Sequence, residues 1–585
     1  METRKVNVMG KEVQIPKGMT FGELAKEFEG EVFGKILVAK QGNSLRELIC
    51  PIRTDEDITF LDFRDKEGVR VYERGISLLL VKAVRDVLGT ATGVEIEHSL
   101  RGNLYCELSS LQQMPDADLL AKIEARMKEY VAADTPIVKH VCPREVAISI
   151  VKEQGLQDKV ELFRYRTASN INLYELDGFY DYFFGYMPHS VGALEWFALM
   201  PFETGFLVRF PDPAKTGELL PEEQPRKISK VFLEQMHWCQ LMQVRNVAEL
   251  NRTIVEGKFG DLIRVNEALH EKKIAEIADQ IHQRMNKVRV VLIAGPSSSG
   301  KTSFANRLCI QLRALGVKPH KVSLDDYFLN REDTPLDEHG KKNFERMEAL
   351  DLKRLNQDLK QIIAGKEVEL PYYNFVTGKR EHSGEFVQLG EGEILVMEGI
   401  HGLNDRLTPE IPAECKFKIF ISAITQLNVD DHNRISTSDS RLIRRIVRDF
   451  QFRGRSARTT IESWDEVRQG EEDNIFPFQE NADAVFNSAT LYELCVLKQY
   501  AEPQLFAIEK NMPEYPTAKR LIKFLSYFLA APGLEIPRKT FFQTRRRPGE
   551  RREVCRSCCL GLYEYGPEKD GCLDRDPARY GLDYL

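Results

Sequence analysis

The sequence predicts an α/β protein. Its C-terminal part is expected to be a parallel sheet with helices on both faces, preceded by a β-grasp unit and an α+β unit. Three observations carry this prediction. An apolar run, a glycine-rich turn and a helical segment follow one another from residue 288 to residue 316. A later strand candidate, 321–324, and an apolar run, 394–397, each lead into an acidic residue. Near the start of the chain, residues 6–8 and 13–15 alternate between apolar and polar on either side of a turn.

Length and composition are those of a multidomain globular protein. The chain has 585 residues, enough for roughly three or four domains. Hydrophobic residues make up 42% and charged residues 29%, and the formal net charge is −7, so no global basic charge points to a nucleic acid or a membrane. No apolar run approaches the length of a membrane span, and no apolar signal segment follows Met1. We therefore expect a cytoplasmic protein without a membrane partner.

Residues 1–64 are predicted to form the β-grasp unit. Residues 6–8 and 13–15 alternate around a turn, which is typical of a hairpin. Thr20 and Glu23 have the spacing of a capping box, and apolar residues continue from there at helical spacing. Strand-like runs follow at 35–39 and 58–61. The order of these elements resembles the TGS domain found at the front of threonyl-tRNA synthetases and stringent-response enzymes.

Residues 65–235 are predicted to form the α+β unit. The runs 93–100 and 177–185 look like parts of the second additional domain of threonyl- and alanyl-tRNA synthetases, which in some relatives edits mischarged tRNA. That editing site pairs H-x-x-x-H with C-x-x-x-H, whereas here Gly102 stands four residues after His98. We therefore expect no zinc or editing site. The aromatic residues within 177–185 are expected in the core, with base stacking as the alternative. RNA or a regulatory nucleotide is a candidate partner of this half.

The remaining boundaries follow from composition. Residues 236–286 have helical spacing and are predicted to be a helical linker, and 287–535 to be the parallel-sheet domain. Residues 541–585 are rich in arginine and cysteine, and we expect a disordered tail rather than a zinc site, because only one C-x-x-C pair is present. A shifted reading frame is a further explanation of this tail.

The glycine-rich turn has the pattern G-x-x-x-x-G-K-[ST] of a P-loop, from Gly295 to Thr302. Its backbone N–H groups can surround phosphate oxygens, Lys301 can reach the β- and γ-phosphates, and the Thr302 hydroxyl can bind Mg²⁺. The helix that follows adds its positive N-terminal dipole. The expected triphosphate-binding residues are Gly295, Ser297, Ser298, Ser299, Gly300, Lys301, Thr302 and Ser303.

Two acidic residues stand where parallel strands are predicted to end. Asp325 follows the run 321–324, and Glu398 follows the run 394–397. The carboxyl ends of parallel strands face the ligand crevice, so either carboxylate could hold Mg²⁺ there, and Asp325 could accept a proton from a hydroxyl.

Arginines dominate the segment 441–455. Arg441, Arg444, Arg445 and Arg448 fall on one helix face, and Arg453 and Arg455 follow. Beside a P-loop, such a face is suited to clamp a transferring phosphoryl group. An ordinary solvated basic face is the alternative.

The ordered motifs resemble uridine kinase, within the uridine kinase and phosphoribulokinase group. They are the P-loop, Asp325 and the segments 343–345, 370–375, 396–400, 444–449 and 453–455. The resemblance implies a phosphotransferase that moves the γ-phosphoryl of ATP or GTP to the 5′-hydroxyl of a nucleoside. It makes Asp325 the general base and places Thr302, Asp325 and Glu398 around Mg²⁺. By the same resemblance, Glu348 binds the ribose hydroxyls and Tyr373 lies near the base. The residues that bind the phosphate charge are Lys301, Arg445, Arg448, Arg453 and Arg455.

Two departures concern the base. Gly378 stands where members that take uridine or cytidine carry a histidine, and a base-reading glutamine is replaced near Ser463. The acceptor is therefore a nucleoside of uridine, cytidine or altered base specificity, or another small alcohol of the same group. A different class of protein, an RNA-binding regulator that uses the P-loop as a nucleotide switch, is the further alternative. Both a monomer and a homo-oligomer are compatible with the sequence.

Overall fold

The computed structural model describes residues 3–109, 114–215, 217–222, 226–336, 340, 342–374, 377–425, 427–531, 533, 536–537 and 540–541. Within these ranges, none of the helices combines the length and apolarity that a bilayer crossing needs.

The front of the chain forms a five-stranded sheet with the order β2-β1-β5-β3-β4. Its strands are β1 (Thr3–Val8), β2 (Lys11–Pro16), β3 (Val38–Gln41), β4 (Ser44–Arg46) and β5 (Ile58–Leu61). β1 and β2 form the predicted antiparallel hairpin. The helix α1 (Phe21–Ala25) begins at the predicted capping box, where Glu23 N donates to Thr20 Oγ1 at 3.2 Å and Thr20 N to Glu23 Oε2 at 2.8 Å.

The next region contains two antiparallel sheets, with the orders β10-β9-β8 and β11-β12-β7-β6. Its strands are β6 (Val94–Leu100), β7 (Asn103–Leu108), β8 (Val138–Pro143), β9 (Asn170–Leu176), β10 (Phe179–Tyr182), β11 (Ala198–Phe202) and β12 (Gly205–Arg209). Its helices are α2 (Lys66–Leu88), α3 (Ala117–Ala132), α4 (Arg144–Glu153) and α5 (Gln157–Arg164). Phe179, Tyr182 and Phe183 are buried, as expected for core packing. His98 is buried as well, and its ring stacks on Phe232 at 3.6 Å.

Three helices follow, α6 (Arg226–Met242), α7 (Val247–Val255) and α8 (Phe259–Gln283). α6 begins at Arg226, so the predicted boundary between 235 and 236 falls inside a helix. The predicted helices of 236–286 are observed, and one of them also packs on the parallel sheet. The isoleucines of α8, from Ile274 to Ile281, are buried in one cluster with the parallel sheet. The apolar stripe of this helix is stable only when another apolar surface covers it, and here the parallel sheet does so.

A five-stranded parallel sheet with the order β14-β17-β13-β18-β19 forms the C-terminal part. Its strands are β13 (Val290–Ala294), β14 (Lys318–Ser323), β17 (Glu393–Glu398), β18 (Lys416–Ser422) and β19 (Ala484–Asn487). The strands β15 (Val368–Asn374) and β16 (Lys379–Val387) form an antiparallel hairpin outside it. The accompanying helices are α9 (Lys301–Ala314), α10 (Leu352–Ile363), α11 (Thr437–Arg453), α12 (Ala457–Glu462), α13 (Trp464–Asn474), α14 (Glu493–Phe506) and α15 (Tyr515–Leu525).

The central strand β13 is buried on both faces. Val290 and Leu292 belong to one apolar cluster, which includes residues of α10. Val291 and Ile293 belong to another, which includes residues of α8 and α9. Because successive side chains of a strand point to opposite faces, helices cover both sides of the sheet, and the predicted fold class is confirmed.

Phe541, which the prediction assigned to the tail, is buried in the folded domain. Phe541 is 5% exposed and lies in the apolar cluster beneath the P-loop, with its ring 5.2 Å from that of Phe486. The Arg307 guanidinium lies 4.5 Å from the Phe541 ring centroid. A large aromatic side chain gains free energy from such burial, so Phe541 belongs to the folded domain. The rest of the predicted tail, 542–585, lies outside the described residues.

Candidate active site

The P-loop connects β13 to α9 in a conformation that requires glycine. A Cβ atom at Gly295 would lie 1.9 Å from the carbonyl oxygen of Ile421 in β18, which no side chain could accommodate. Gly300 has φ +84°, in the left-handed region that favours glycine. The loop therefore lies flush against the neighbouring strand and turns sharply into α9. Its backbone N–H groups are placed at the N-terminus of that helix, where an anion is stabilised.

Lys301 folds back over the loop. Its Nζ donates to the carbonyl oxygens of Gly295 at 2.8 Å and Pro296 at 3.3 Å. Burial lowers the pKa of Lys301, and the carboxylates of Glu398 and Asp325 partly offset this effect. The ammonium group is thus held between the loop and the two acidic strand ends. Ser303 follows in the first turn of α9.

Thr302, at the start of α9, meets Glu398 at the end of β17. Thr302 Oγ1 donates to Glu398 Oε1 at 2.6 Å. β17 pairs with β13 in parallel, so Glu398 lies beside the start of the P-loop, opposite Ile293. This contact joins the P-loop hydroxyl to the acidic end of the neighbouring strand.

Asp325 lies at the end of β14, in a short 3₁₀ turn over Leu324–Tyr327. The parallel register pairs Ser323 with Glu398, so the Asp325 carboxylate follows just beyond the Glu398 position. Asp325 is exposed to solvent. Partial desolvation by neighbouring protein, together with the negative charge of Glu398, still raises the pKa of Asp325 to about 6, while Lys301 acts in the opposite direction. A carboxylate whose pKa is raised accepts a proton more readily, as a general base must.

The oxygen atoms of Thr302, Glu398 and Asp325 fit a magnesium ion. Mg²⁺ prefers hard oxygen ligands, and in nucleotide sites it uses one or two carboxylates with phosphates and waters. The direct hydrogen bond between Thr302 and Glu398 places two such oxygens side by side. These residues could hold the ion, which would neutralise charge on the phosphates.

Asp449 arranges the arginines at the C-terminal end of α11. Its buried carboxylate lies 3.4 Å from Arg445 Nε, 2.9 Å from Arg448 Nη2 and 3.5 Å from Arg453 Nη1. Its carbonyl oxygen accepts from the Arg455 N–H at 3.1 Å. One buried carboxylate thus positions a set of cations whose charges would otherwise repel one another.

Arg445 also contacts the P-loop directly, since its Nη1 donates to Ser297 Oγ at 2.7 Å. Burial lowers the pKa of Arg445, with Asp449 acting in the opposite direction. The structure therefore brings one of the predicted phosphate-binding arginines onto the loop itself.

The other two arginines of the same helix have different partners. Arg441 forms an ion pair with Glu471 and donates through Nε to Ser297 O at 3.1 Å. Arg444 binds Glu493, with Nε 2.8 Å from Oε1, and donates to Ser298 O at 3.4 Å. Both side chains are buried. They support the P-loop carbonyl groups from behind rather than forming part of a solvent-exposed basic face.

Two polar contacts to the loop were missed by sequence reasoning. Glu471 Oε1 accepts from Ser297 N at 2.8 Å, and Ser488 Oγ donates to Ser299 O at 2.5 Å. Both residues lie well over a hundred positions after the loop, and neither stands in a motif. No local signal could have pointed to them, because their proximity depends on the packing of α13 and β19 against the P-loop.

Of the two residues expected to contact the nucleoside, Glu348 is exposed and Tyr373 is buried. Glu348 is exposed and pairs with Arg406 at 3.2 Å. Tyr373 is buried with its ring 5.6 Å from that of Phe328, and its N–H donates to Asp326 Oδ1 at 3.2 Å. The structure gives Tyr373 a packing role, so the contact to a base expected of it stays a prediction.

The two positions that depart from the family pattern have local structural roles. Gly378 has φ +69°, and a Cβ atom there would lie 2.8 Å from Arg331 Nε. A histidine would be strained at this position. Ser463 ends α12 and precedes α13, and its Oγ donates to Thr460 O at 3.3 Å.

The C-terminal part of the chain is similar to known kinases. The profile of the Phosphoribulokinase / Uridine kinase family matches residues 290–494. The chain is 32% identical over 181 residues to a uridine kinase of Ligilactobacillus salivarius (strain UCC118), covering 31% of this chain and 76% of that protein. It is also 32% identical over 194 residues to a uridine kinase of Proteus mirabilis (strain HI4320), covering 33% and 80%.

A further relative is similar to the front of the chain. The threonine–tRNA ligase of Acidovorax sp. (strain JS42) is 29% identical over 183 residues, which are 31% of this chain and 28% of that protein. This match agrees with the synthetase resemblance of the N-terminal region. The C-terminal matches span about three quarters or more of each uridine kinase. The chain therefore belongs to the Phosphoribulokinase / Uridine kinase family and is a phosphotransferase with an alcohol group as acceptor.

Proposed function

We propose that the protein is a magnesium-dependent nucleoside kinase that transfers the γ-phosphoryl group of ATP or GTP to a nucleoside 5′-hydroxyl. The observation that carries the proposal is the meeting of three groups at one edge of the parallel sheet. These are the P-loop with Lys301, the hydrogen-bonded pair Thr302–Glu398, and Asp325 at the next strand end. A carboxylate that can accept a proton beside a triphosphate site is what transfer to an alcohol requires.

The chemistry follows from these positions. The acceptor oxygen attacks the γ-phosphorus, the bond from that phosphorus to the β–γ bridging oxygen breaks, and the nucleoside diphosphate leaves with that bond's electrons. Asp325 takes the acceptor proton and later releases it to solvent. Lys301 and the arginines arranged by Asp449 stabilise the charge on the transferring group. A bound magnesium ion would supply further charge neutralisation on the phosphates.

The uridine kinases among the relatives suggest a pyrimidine nucleoside as acceptor. Gly378 and Ser463 favour a changed base pocket, because a histidine is unsuited to the backbone at 378 and the Ser463 hydroxyl is bonded within its own helix region. Sites that hydrogen-bond a base discriminate strongly, so these positions bear on the choice of base. A cytoplasmic location, a homo-oligomer, and RNA or a nucleotide as partner of the N-terminal region stay predictions.

An acceptor screen with the purified full chain tests the proposal. Release of ADP or GDP is measured with Mg²⁺, ATP or GTP, and a panel of pyrimidine nucleosides, purine nucleosides and other small alcohols of the phosphoribulokinase group. We expect acceptor-dependent release with at least one nucleoside and formation of its 5′-monophosphate. Release that is indifferent to every acceptor, together with salt-dependent RNA binding, would instead support the regulatory alternative.

Neighbouring carboxylates supply a matched pair of variants. Asp325→Asn should lower kcat by about 10²- to 10⁴-fold, the usual contribution of a general base. Asp326→Asn should keep most of the activity, because the Asp326 carboxylate binds the Tyr373 N–H and an amide oxygen can do the same. If Asp325→Asn is as active as Asp326→Asn, the assignment of the base is wrong.

A further inference from the structure

A cavity of about 100 Å³ lies where three parts of the chain meet. Its walls come from α2, from the segment just before and at the start of α11, and from α15. Four arginines line it, namely Arg70, Arg74, Arg434 and Arg520. The aromatic rings of Phe184 and Phe524 form an apolar part of the wall. None of these residues belongs to the candidate active site.

The arginines are only partly neutralised. Arg520 binds Asp439 and lies 3.9 Å from Glu67, while the Arg434–Glu73 pair is 4.0 Å long. Arg70 binds Glu67 and lies 3.9 Å from Asp439. The carboxylates on the cavity wall are thus Glu73 and Asp439, with Glu67 behind them, against four guanidinium groups.

Arg74 lies beside an aromatic ring, with its guanidinium 5.8 Å from the Phe184 ring centroid. Burial lowers the pKa of Arg74, and Glu67 and Glu73 offset only part of this effect. Its Nη1 donates to the carbonyl oxygen of Tyr186 at 2.7 Å, and its guanidinium lies against Gly185. Within the part of the chain that the structure describes, no carboxylate forms an ion pair with it. A cation in such surroundings is costly unless an anion accompanies it.

The wider surroundings are also positive. Lys523 follows Arg520 by one turn of α15. Burial and the nearby cations Arg74, Arg166 and Lys139 lower the pKa of Lys523 to about 8. The basic field therefore extends beyond the cavity wall, and an oxyanion in the cavity would be stabilised by it.

We propose that this junction cavity binds a small phosphorylated molecule, with the phosphate on the arginines and the organic part against Phe184 and Phe524. Guanidinium groups bind phosphate through paired, charge-assisted hydrogen bonds. A dianionic phosphate offsets the excess of cations, and the aromatic wall suits a ring or an apolar group. The small volume, about 100 Å³, favours a small molecule over a polymer.

The position of the cavity links it to the candidate active site. Asp439 lies in the first turn of α11, and the same helix carries Arg445 and Arg448. A phosphate bound to Arg520 would compete with Asp439 for this arginine. Binding of the ligand would therefore change the contacts of the N-terminal end of α11. The proposed ligand is therefore placed to influence the arginines of the active site.

Calorimetric titration with phenyl phosphate tests the proposal, with inorganic phosphate for comparison. The full chain carries Lys301→Ala so that the P-loop contributes little to phosphate binding. In this background we expect phenyl phosphate to bind more tightly than inorganic phosphate. Arg434→Gln should weaken that binding about tenfold or more, the loss expected for one charge-assisted contact. Arg458→Gln, an exposed arginine paired with Glu514 away from the cavity, should leave it unchanged.

A second variant guards against simple misfolding. Glu73→Gln removes a negative charge from the wall and should tighten phenyl phosphate binding, which a collapsed cavity could not produce. The proposal is overturned if the Lys301→Ala chain does not bind phenyl phosphate. It is also overturned if Arg434→Gln and Arg458→Gln bind it equally well. These readouts are binding constants, so they are independent of whether the nucleoside kinase proposal holds.

Discussion

Asp449 is the residue on which the arrangement of the active-site arginines depends. It is fully buried, and its carboxylate contacts Arg445, Arg448 and Arg453 while its carbonyl oxygen binds the N–H of Arg455. Without its charge, the guanidinium groups would repel one another and separate. Asp449 is therefore a positioning residue, because it acts on phosphate only through the arginines.

Asp449→Asn should lower kcat of the proposed phosphoryl transfer by roughly 10- to 100-fold, because the amide cannot neutralise the clustered cations. Steady-state kinetics measure the effect, and circular dichroism verifies that the chain remains folded. Asp465→Asn, at an exposed ion pair with Lys66, is the control and should behave like the unaltered protein. Equal kcat values for the two variants would contradict the role of Asp449.

A buried ion pair behind the P-loop holds α11 to α14. Arg444 donates to both carboxylate oxygens of Glu493, at 2.8 Å and 2.5 Å, and its Nη2 donates to Ser488 O at 2.8 Å. The same arginine reaches Ser298 O. The pair thus connects the helix that carries the active-site arginines to the phosphate-binding loop.

Removing the charge of Glu493 should leave Arg444 buried without a counter-ion. We expect Glu493→Gln to lower the free energy of unfolding by about 3–5 kcal/mol, measured by urea denaturation. Glu502→Gln, at a 3.6 Å pair with Lys498 on the same helix, should cost less than about 1 kcal/mol because that pair is partly exposed. A Glu493→Gln chain with the stability of the Glu502→Gln chain would contradict this account.

For the whole molecule, a buried charge network joins the N-terminal half to the segment that precedes α11. Lys159 of α5 is fully buried, with Nζ 3.2 Å from both Asp181 and Asp430 and 3.0 Å from His432 Nδ1. Backbone contacts reinforce the joint, since Ile96 N donates to Asp431 O at 2.8 Å. The synthetase-like region therefore holds the segment that leads into α11 in place.

Lys159→Met should destabilise the folded chain, because the surrounding buried carboxylates would lose their shared counter-ion. We expect the unfolding temperature to fall, with a loss of about 3 kcal/mol or more in the free energy of unfolding. Differential scanning calorimetry measures it, and Lys152→Met, on the exposed side of α4, should change little. An unchanged transition in the Lys159→Met chain would show that the two halves do not depend on this joint.

The features that depend on neighbouring residues could be predicted from the sequence alone. Alternation predicted the first hairpin, the capping box predicted the start of α1, and β-branched runs before Gly295 and Glu398 predicted two strands of the parallel sheet. The helical spacing of the arginines likewise predicted α11. Such patterns are readable because turn chemistry and side-chain periodicity act over a few residues.

Which of those arginines face the active site depends on how the helices pack. Arg441 and Arg444 bind Glu471 and Glu493, whereas Arg445 reaches Ser297 and shares Asp449 with Arg448. The burial of Phe541 and the packing of α8 on the sheet were equally invisible in the sequence. The physical reason is that a buried charge or ring is stabilised by whatever partner packing brings to it. That partner can lie anywhere in the chain, so no local pattern identifies it.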